Sequence, residues 1–261
     1  MAEQQGTGTG YDGTGPRGLG SAPPRQAFGT AYESVTFSTA THGADLSITL
    51  ASQPVFELSS STPVSRRLRR SIRRTGDRSP FERKTLGLED LTRIDALTLQ
   101  HGLDLLRLGP GDSGVLPAFW RSLTEGRNAY ALLCAEAQHS LRPDSLLVEV
   151  VGGPEHVRPE AVNDMADRFA LASRGLILHI APDVDTALGL RGARLSCLAI
   201  DFAGVAHQGA RDWQAAVDLI AAARAACAQI LLLNLRPERA LGAQAAGATH
   251  AVFCALEPRT V

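Results

Sequence analysis

The chain has 261 residues, a formal net charge of −1 and a hydrophobic fraction of 44%, enough for one well-buried core and too little for two generous domains. A near-neutral chain lacks the broad basic field that drives non-specific nucleic-acid binding, so no nucleic-acid partner is expected. No apolar run reaches the roughly 18 residues that span a bilayer, the N-terminus has no signal-peptide h-region, and a cytoplasmic location without a membrane partner is expected.

The first thirty residues hold eight glycines and three prolines and almost no aliphatic side chains. Such a segment buries too little surface to offset its ordering entropy, so a disordered Gly/Pro-rich tail is expected over 1–40 and a folded domain over 41–261. Gly8, Gly10 and Gly13 match G-x-G-x-x-G, but that pattern cradles phosphate only between a strand and a helix, and neither is expected there.

From residue 46 the pattern tightens. LSITLASQPVFEL (46–58) alternates apolar and polar residues as a strand does. Candidate strands follow at 64–70 and 113–117. Between them, 88–107 sets Leu91, Ile94, Leu97, Leu99, Leu103 and Leu106 largely along one helical face, with a Gly-Pro-Gly stop at 109–111. A rhythm then appears: strands at 145–151, 175–181, 196–201, 229–235 and 249–255 alternate with helices near 158–173, 212–227 and 237–246, and a short one after 181. Short strands that are apolar on both faces predict a parallel sheet covered by helices. Eight of them predict an α/β fold, a TIM-like (β/α)8 barrel.

Several local motifs carry little. GDSG (111–114) and TATHG (39–43) echo a chymotrypsin-like protease, but that fold is all-β and a triad is defined by geometry; a turn leading into a strand is the plainer reading. Cys134, Cys197, Cys227 and Cys254 are widely spaced, without a C-x-x-C pair, which points to reduced core thiols. His179, inside an apolar run, reads as a barrel-interior histidine. The strand-end acids are more informative. Glu149 lies near the end of 145–151, Asp183 with Asp185 follows 175–181 and Asp201 ends 196–201, close to where barrel enzymes keep their chemistry, and Glu149, Asp183 and Asp201 could be a vestigial metal set. The plainer alternative is that such acids cap the next helix or face solvent.

The order of these segments over roughly 46–258 resembles the EAL domain family, bacterial barrels that hydrolyse cyclic di-GMP. SQPVFEL (52–58) resembles the family's opening Y-Q-P-I-V-D-L, SLLVEVV its L-V-L-E-I-T-E, and CLAID its L-K-I-D. The closing helix-strand-helix-strand succession is similar as well. The resemblance implies that E-A-L-x-R falls on Arg66-Arg67-Leu68-Arg69-Arg70, with Arg66 in place of a metal-ligand glutamate and Arg70 at the phosphate-contacting arginine. It keeps Glu149 and Asp201 and puts Val115 at a family asparagine. Further family positions fall on Gly152, Ala199, Leu233 and Arg236. The aspartate pair falls on Ala181 and Pro182, unless a two-residue slip lets Asp183 stand in. The family's lysine has no counterpart, because Lys84 is the only lysine.

The resemblance therefore implies a degenerate EAL-like barrel that is not an enzyme and carries no cofactor, because two-metal hydrolysis needs clustered anionic ligands. Three functions stay open. The first is a catalytically inactive signalling or regulatory protein that binds another, unidentified protein, with a homodimer expected on the same resemblance. The second is a metal-independent cyclic di-GMP receptor using Gln53, Arg70, Glu149 and Asp201. The third is a residual phosphodiesterase.

Overall fold

The computed structural model describes residues 33–76, 86–107, 112–126, 145–154, 156–170, 173–203 and 210–254. Nine strands form one sheet in chain order: β1 (Ser34–Ala40), β2 (Asp45–Glu57), β3 (Thr62–Arg74), β4 (Gly114–Phe119), β5 (Leu146–Val151), β6 (Gly175–Ile180), β7 (Cys197–Asp201), β8 (Ile230–Leu235) and β9 (His250–Phe253). Strand β2 also pairs with β9, which closes β2 to β9 into an eight-stranded barrel. The helices are α1 (Leu88–Leu106), α2 (Trp120–Thr124), α3 (Pro159–Phe169), α4 (Val184–Gly189), α5 (Ala210–Ala226) and α6 (Ala240–Ala246).

The expected α/β barrel is present, with two corrections. The barrel is mixed: β3 to β9 run parallel, but β2 is antiparallel to both of its barrel neighbours. A four-residue turn (58–61) joins β2 to β3, too short for the crossover that parallel strands require. The folded chain also begins before residue 41, because Ser34–Ala40 forms β1 along the first half of β2. That segment, SVTFSTA, alternates Val35 and Phe37 inward against serines and threonines, a short strand pattern beside a glycine-rich neighbour. The rest of the expected tail, 1–32, lies outside the described residues, as do Cys134 and the Gly-Pro-Gly stop.

Two cores result from the strand alternation. Outward-facing residues such as Leu50, Leu68, Leu116 and Leu198 join the helices in a large outer core. Inward-facing residues, among them Val55, Val115, Ile177 and Leu231, make a smaller core inside the barrel. Helix α1 packs on β3 and β4 with a stripe that differs from the expected one. Leu97 and Leu103 are only half-buried, whereas Asp95, Thr98 and Gly102 are buried with Leu91, Ile94, Leu99 and Leu106. Polar residues occupy that stripe because an arginine from β3 meets them there. No described helix is long and apolar enough to cross a membrane.

Candidate functional site

Strand β3 carries the arginine run, and alternation divides it between two environments. Leu68 and Ile72 are buried in the outer core, which turns the even-numbered residues toward α1. Arg66 Nη1 donates to the Leu106 carbonyl at 3.3 Å, near the end of that helix. Arg70 Nη1 donates to Asp95 Oδ1 at 2.6 Å and to Thr98 Oγ1 at 3.1 Å, and its guanidinium lies 3.9 Å over the Phe119 ring centroid. Asp95 also accepts from the Phe119 backbone N–H. Burial holds the Asp95 carboxyl above its ordinary range, with Arg70 pulling the other way. Arg70 is thus a buried structural arginine between strand and helix.

The odd-numbered residues face the other way, so the expected placement of Arg66 inside the barrel is off by one position. A one-residue shift exchanges the two faces of a strand, and Leu68 and Ile72 fix which face is which. The interior position belongs to Arg67. Its Nε donates to Glu149 Oε2 at 2.6 Å, its Nη2 to Glu149 Oε1 at 2.8 Å, and its Nη1 to Gln53 Oε1 at 3.0 Å. Glu149 is fully buried, and His179 Nδ1 stands 3.6 Å from its Oε1. The fork of a guanidinium matches the two carboxylate oxygens, which makes this the stronger kind of ion pair.

The remaining candidates lie elsewhere. Asp201, at the C-terminal end of β7, accepts from the Ala203 N–H at 2.8 Å and from Asn234 Nδ2 at 2.6 Å. Asn234 has a φ of +55° at an irregularity in the β8–β9 pairing, which aims its amide across to Asp201. Asp183 caps α4, accepting from the Thr186 N–H at 2.7 Å, and that bond holds its carboxyl below the usual range. Of the family-matched positions, Val115, Ala199 and Leu233 all face the barrel interior as apolar residues. Glu149 and Gln53 therefore come together, whereas Arg70, Asp183 and Asp201 do not join them.

A metal pair does not fit this interior. The buried carboxylate has both oxygens bound by a guanidinium, its polar neighbours Gln53 and His179 add no second carboxylate, and Val115, Ala199 and Leu233 stand as apolar residues at family-matched positions. No group of three His, Cys, Asp or Glu side chains that could hold a metal ion occurs among the described residues. Arg67 and Asn234 were missed from the sequence. For Arg67 a signal existed: the spacing of Leu68 and Ile72 sets the parity of the whole run.

Solved structures share this architecture. The Xanthomonas citri FimX EAL domain, in complex with c-diGMP, is 12% identical with a TM-score of 0.57, over 79% of this chain and 85% of that one. The PaMucR phosphodiesterase, a c-di-GMP complex, is 16% identical with a TM-score of 0.59, over 80% and 95%. The fold is that of an EAL domain. Klebsiella pneumoniae BlrP1, a manganese/cy-diGMP complex, is 16% identical with a TM-score of 0.56, over 88% of this chain and 60% of that chain. No family model matches the sequence, and no curated protein does. Within the EAL fold, the Arg67–Glu149 pair is the feature of this chain that bears most directly on chemistry.

Proposed function

We propose that this chain is a non-hydrolytic EAL-fold signalling protein that acts by binding another protein. The observation that carries this reading is the guanidinium of Arg67 held on both oxygens of Glu149. Phosphodiester hydrolysis by paired metals requires free carboxylates to hold the ions and activate water. A fixed internal cation on the buried carboxylate opposes a divalent ion both by charge and by occupying its ligands. The solved neighbours in complex with cyclic di-GMP support a connection to that second messenger.

The receptor reading is weaker on geometry. Gln53 and Glu149 are engaged by Arg67, Arg70 is buried against α1, and Asp201 already accepts two hydrogen bonds. A dinucleotide would have to break those contacts before making its own. Exposed surface remains for a partner. Strand β3 runs seven residues beyond Arg67, whereas β4 runs four beyond its paired Val115, so the β1–β3 ribbon rises past the C-terminal mouth. On it the exposed Arg69 and Arg73 share a face with the half-buried Ser47, Thr49 and Ser71, chemistry suited to an acidic segment of a protein partner.

Titrating the purified protein with cyclic di-GMP, with and without Mg²⁺, separates the readings. The interaction protein shows neither saturable binding nor linear product. Metal-independent saturable binding would favour the receptor, and linear product formed only with metal would overturn the proposal.

A further inference from the structure

The N-terminal mouth of the barrel, opposite the end where barrel enzymes carry their chemistry, holds a cavity of about 350 Å³. Barrel interiors are ordinarily filled by bulky branched side chains in layers. Here Ser65, Ser113, Ser196 and Cys197 stand at lining positions, and small side chains there leave the space unfilled. The floor is apolar, formed by Val55, Val115, Leu147, Ile177 and Leu231. Burial pushes the Cys197 thiol well above its ordinary range, so it joins that wall as a neutral group.

The lip is polarised. Arg174, before β6, is the one arginine or lysine among the described lining residues, and it makes no ion pair among the described residues. Glu57 lies across the mouth on β2, four strands away in the eight-stranded barrel. Its carboxylate is turned to Ser60, whose hydroxyl donates at 2.7 Å. The cation on the lip is therefore open to an anion, while the opposing carboxylate is already engaged.

We propose that this cavity is a binding site for a small carboxylate with an apolar body, the body on the apolar floor and the carboxylate at Arg174. The size fits: the cavity is more than twice the roughly 150 Å³ apolar void that takes up benzene, and ligand pockets begin at about 300 Å³. The site is separate from the C-terminal mouth and does not depend on the function proposed above.

Phenylacetate is the probe, with neutral 2-phenylacetamide as its control, titrated by calorimetry into the full-length protein. Saturable one-to-one binding of phenylacetate is expected, with affinity about tenfold lower for the amide and for Arg174→Ala, the loss of one charge-assisted contact. Ser196→Leu, which fills the cavity, is expected to abolish binding while circular dichroism reports an intact fold. Arg174 is exposed, so its variant keeps the test interpretable if Ser196→Leu does not fold. Absence of saturable phenylacetate binding overturns the proposal. So does equal affinity of the wild type and Arg174→Ala, or equal affinity for acid and amide.

Discussion

Arg67 and Glu149 hold each other inside the barrel, and neither is replaceable alone. Removing one partner of a buried pair leaves an uncompensated charge. Glu149→Ala is therefore expected to destabilise the protein by about 3–5 kcal/mol in urea unfolding. The double variant Arg67→Met, Glu149→Leu should recover most of that loss, because well-packed apolar pairs often substitute for buried ion pairs without net cost. Arg70 and Asp95 make a second buried pair, at 4% and 0% side-chain exposure, and its test is pH-dependent. In Arg70→Met, Asp95 loses the partner that opposes burial, and its folded pKa rises further above the unfolded value. The destabilisation should then be greatest at neutral pH. It should shrink as pH falls through the folded pKa toward the unfolded one, because protonation removes the unpaired charge. Chemical denaturation at pH 7.5 and pH 4.5 reads the difference, and a loss independent of pH would refute the assignment. Sequence alone identified Gln53, Glu149, Asp201 and Arg70 as polar residues worth locating. It did not show their partners, because a hydrogen bond between β3 and β5 depends on which face of β3 turns inward.

At the level of strands and helices, charge alone does not reveal which face of β3 turns inward. Six arginines in ten residues (65–74) hide the period of the strand when only charge is read. Read by its two aliphatic residues, the same run gives the parity correctly, since Leu68 and Ile72 must share the buried face. Leu68→Ala should accordingly cost about 2–5 kcal/mol, as for other buried leucines, whereas Arg69→Ala and Arg73→Ala, both exposed, should stay within about 0.5 kcal/mol. Helix α1 departs from its expected stripe for a related reason. Gly102 brings the helix close to β3 and β4: an added Cβ would lie 2.8 Å from Leu68 Cδ1 and 2.5 Å from Leu116 Cδ2. A leucine-based reading of α1 does not register a glycine as a contact residue. Gly102→Val should overpack this seam and lower stability by about 1–3 kcal/mol, measured by thermal and urea unfolding.

At the scale of the molecule, the rhythm of short apolar strands and helices was enough to identify the barrel, because strands covered on both sides must be apolar throughout. The reversed direction of β2 has a sequence signal in the short connection after it, since a few residues cannot make a parallel crossover, and β1 has one in the alternation of SVTFSTA beside the glycine-rich segment. The barrel has separated its two ends: a ribbon with exposed arginines past one mouth, a small cavity at the other, and an ion pair in the interior between them. We propose that Arg67, held on both oxygens of Glu149, keeps a metal ion from that carboxylate. The most direct measurement is a titration with Mn²⁺ followed by electron paramagnetic resonance, on the wild type and on Glu149→Gln. No saturable stoichiometric Mn²⁺ site is expected in either protein. A stoichiometric site in the wild type that disappears in Glu149→Gln would contradict the proposal.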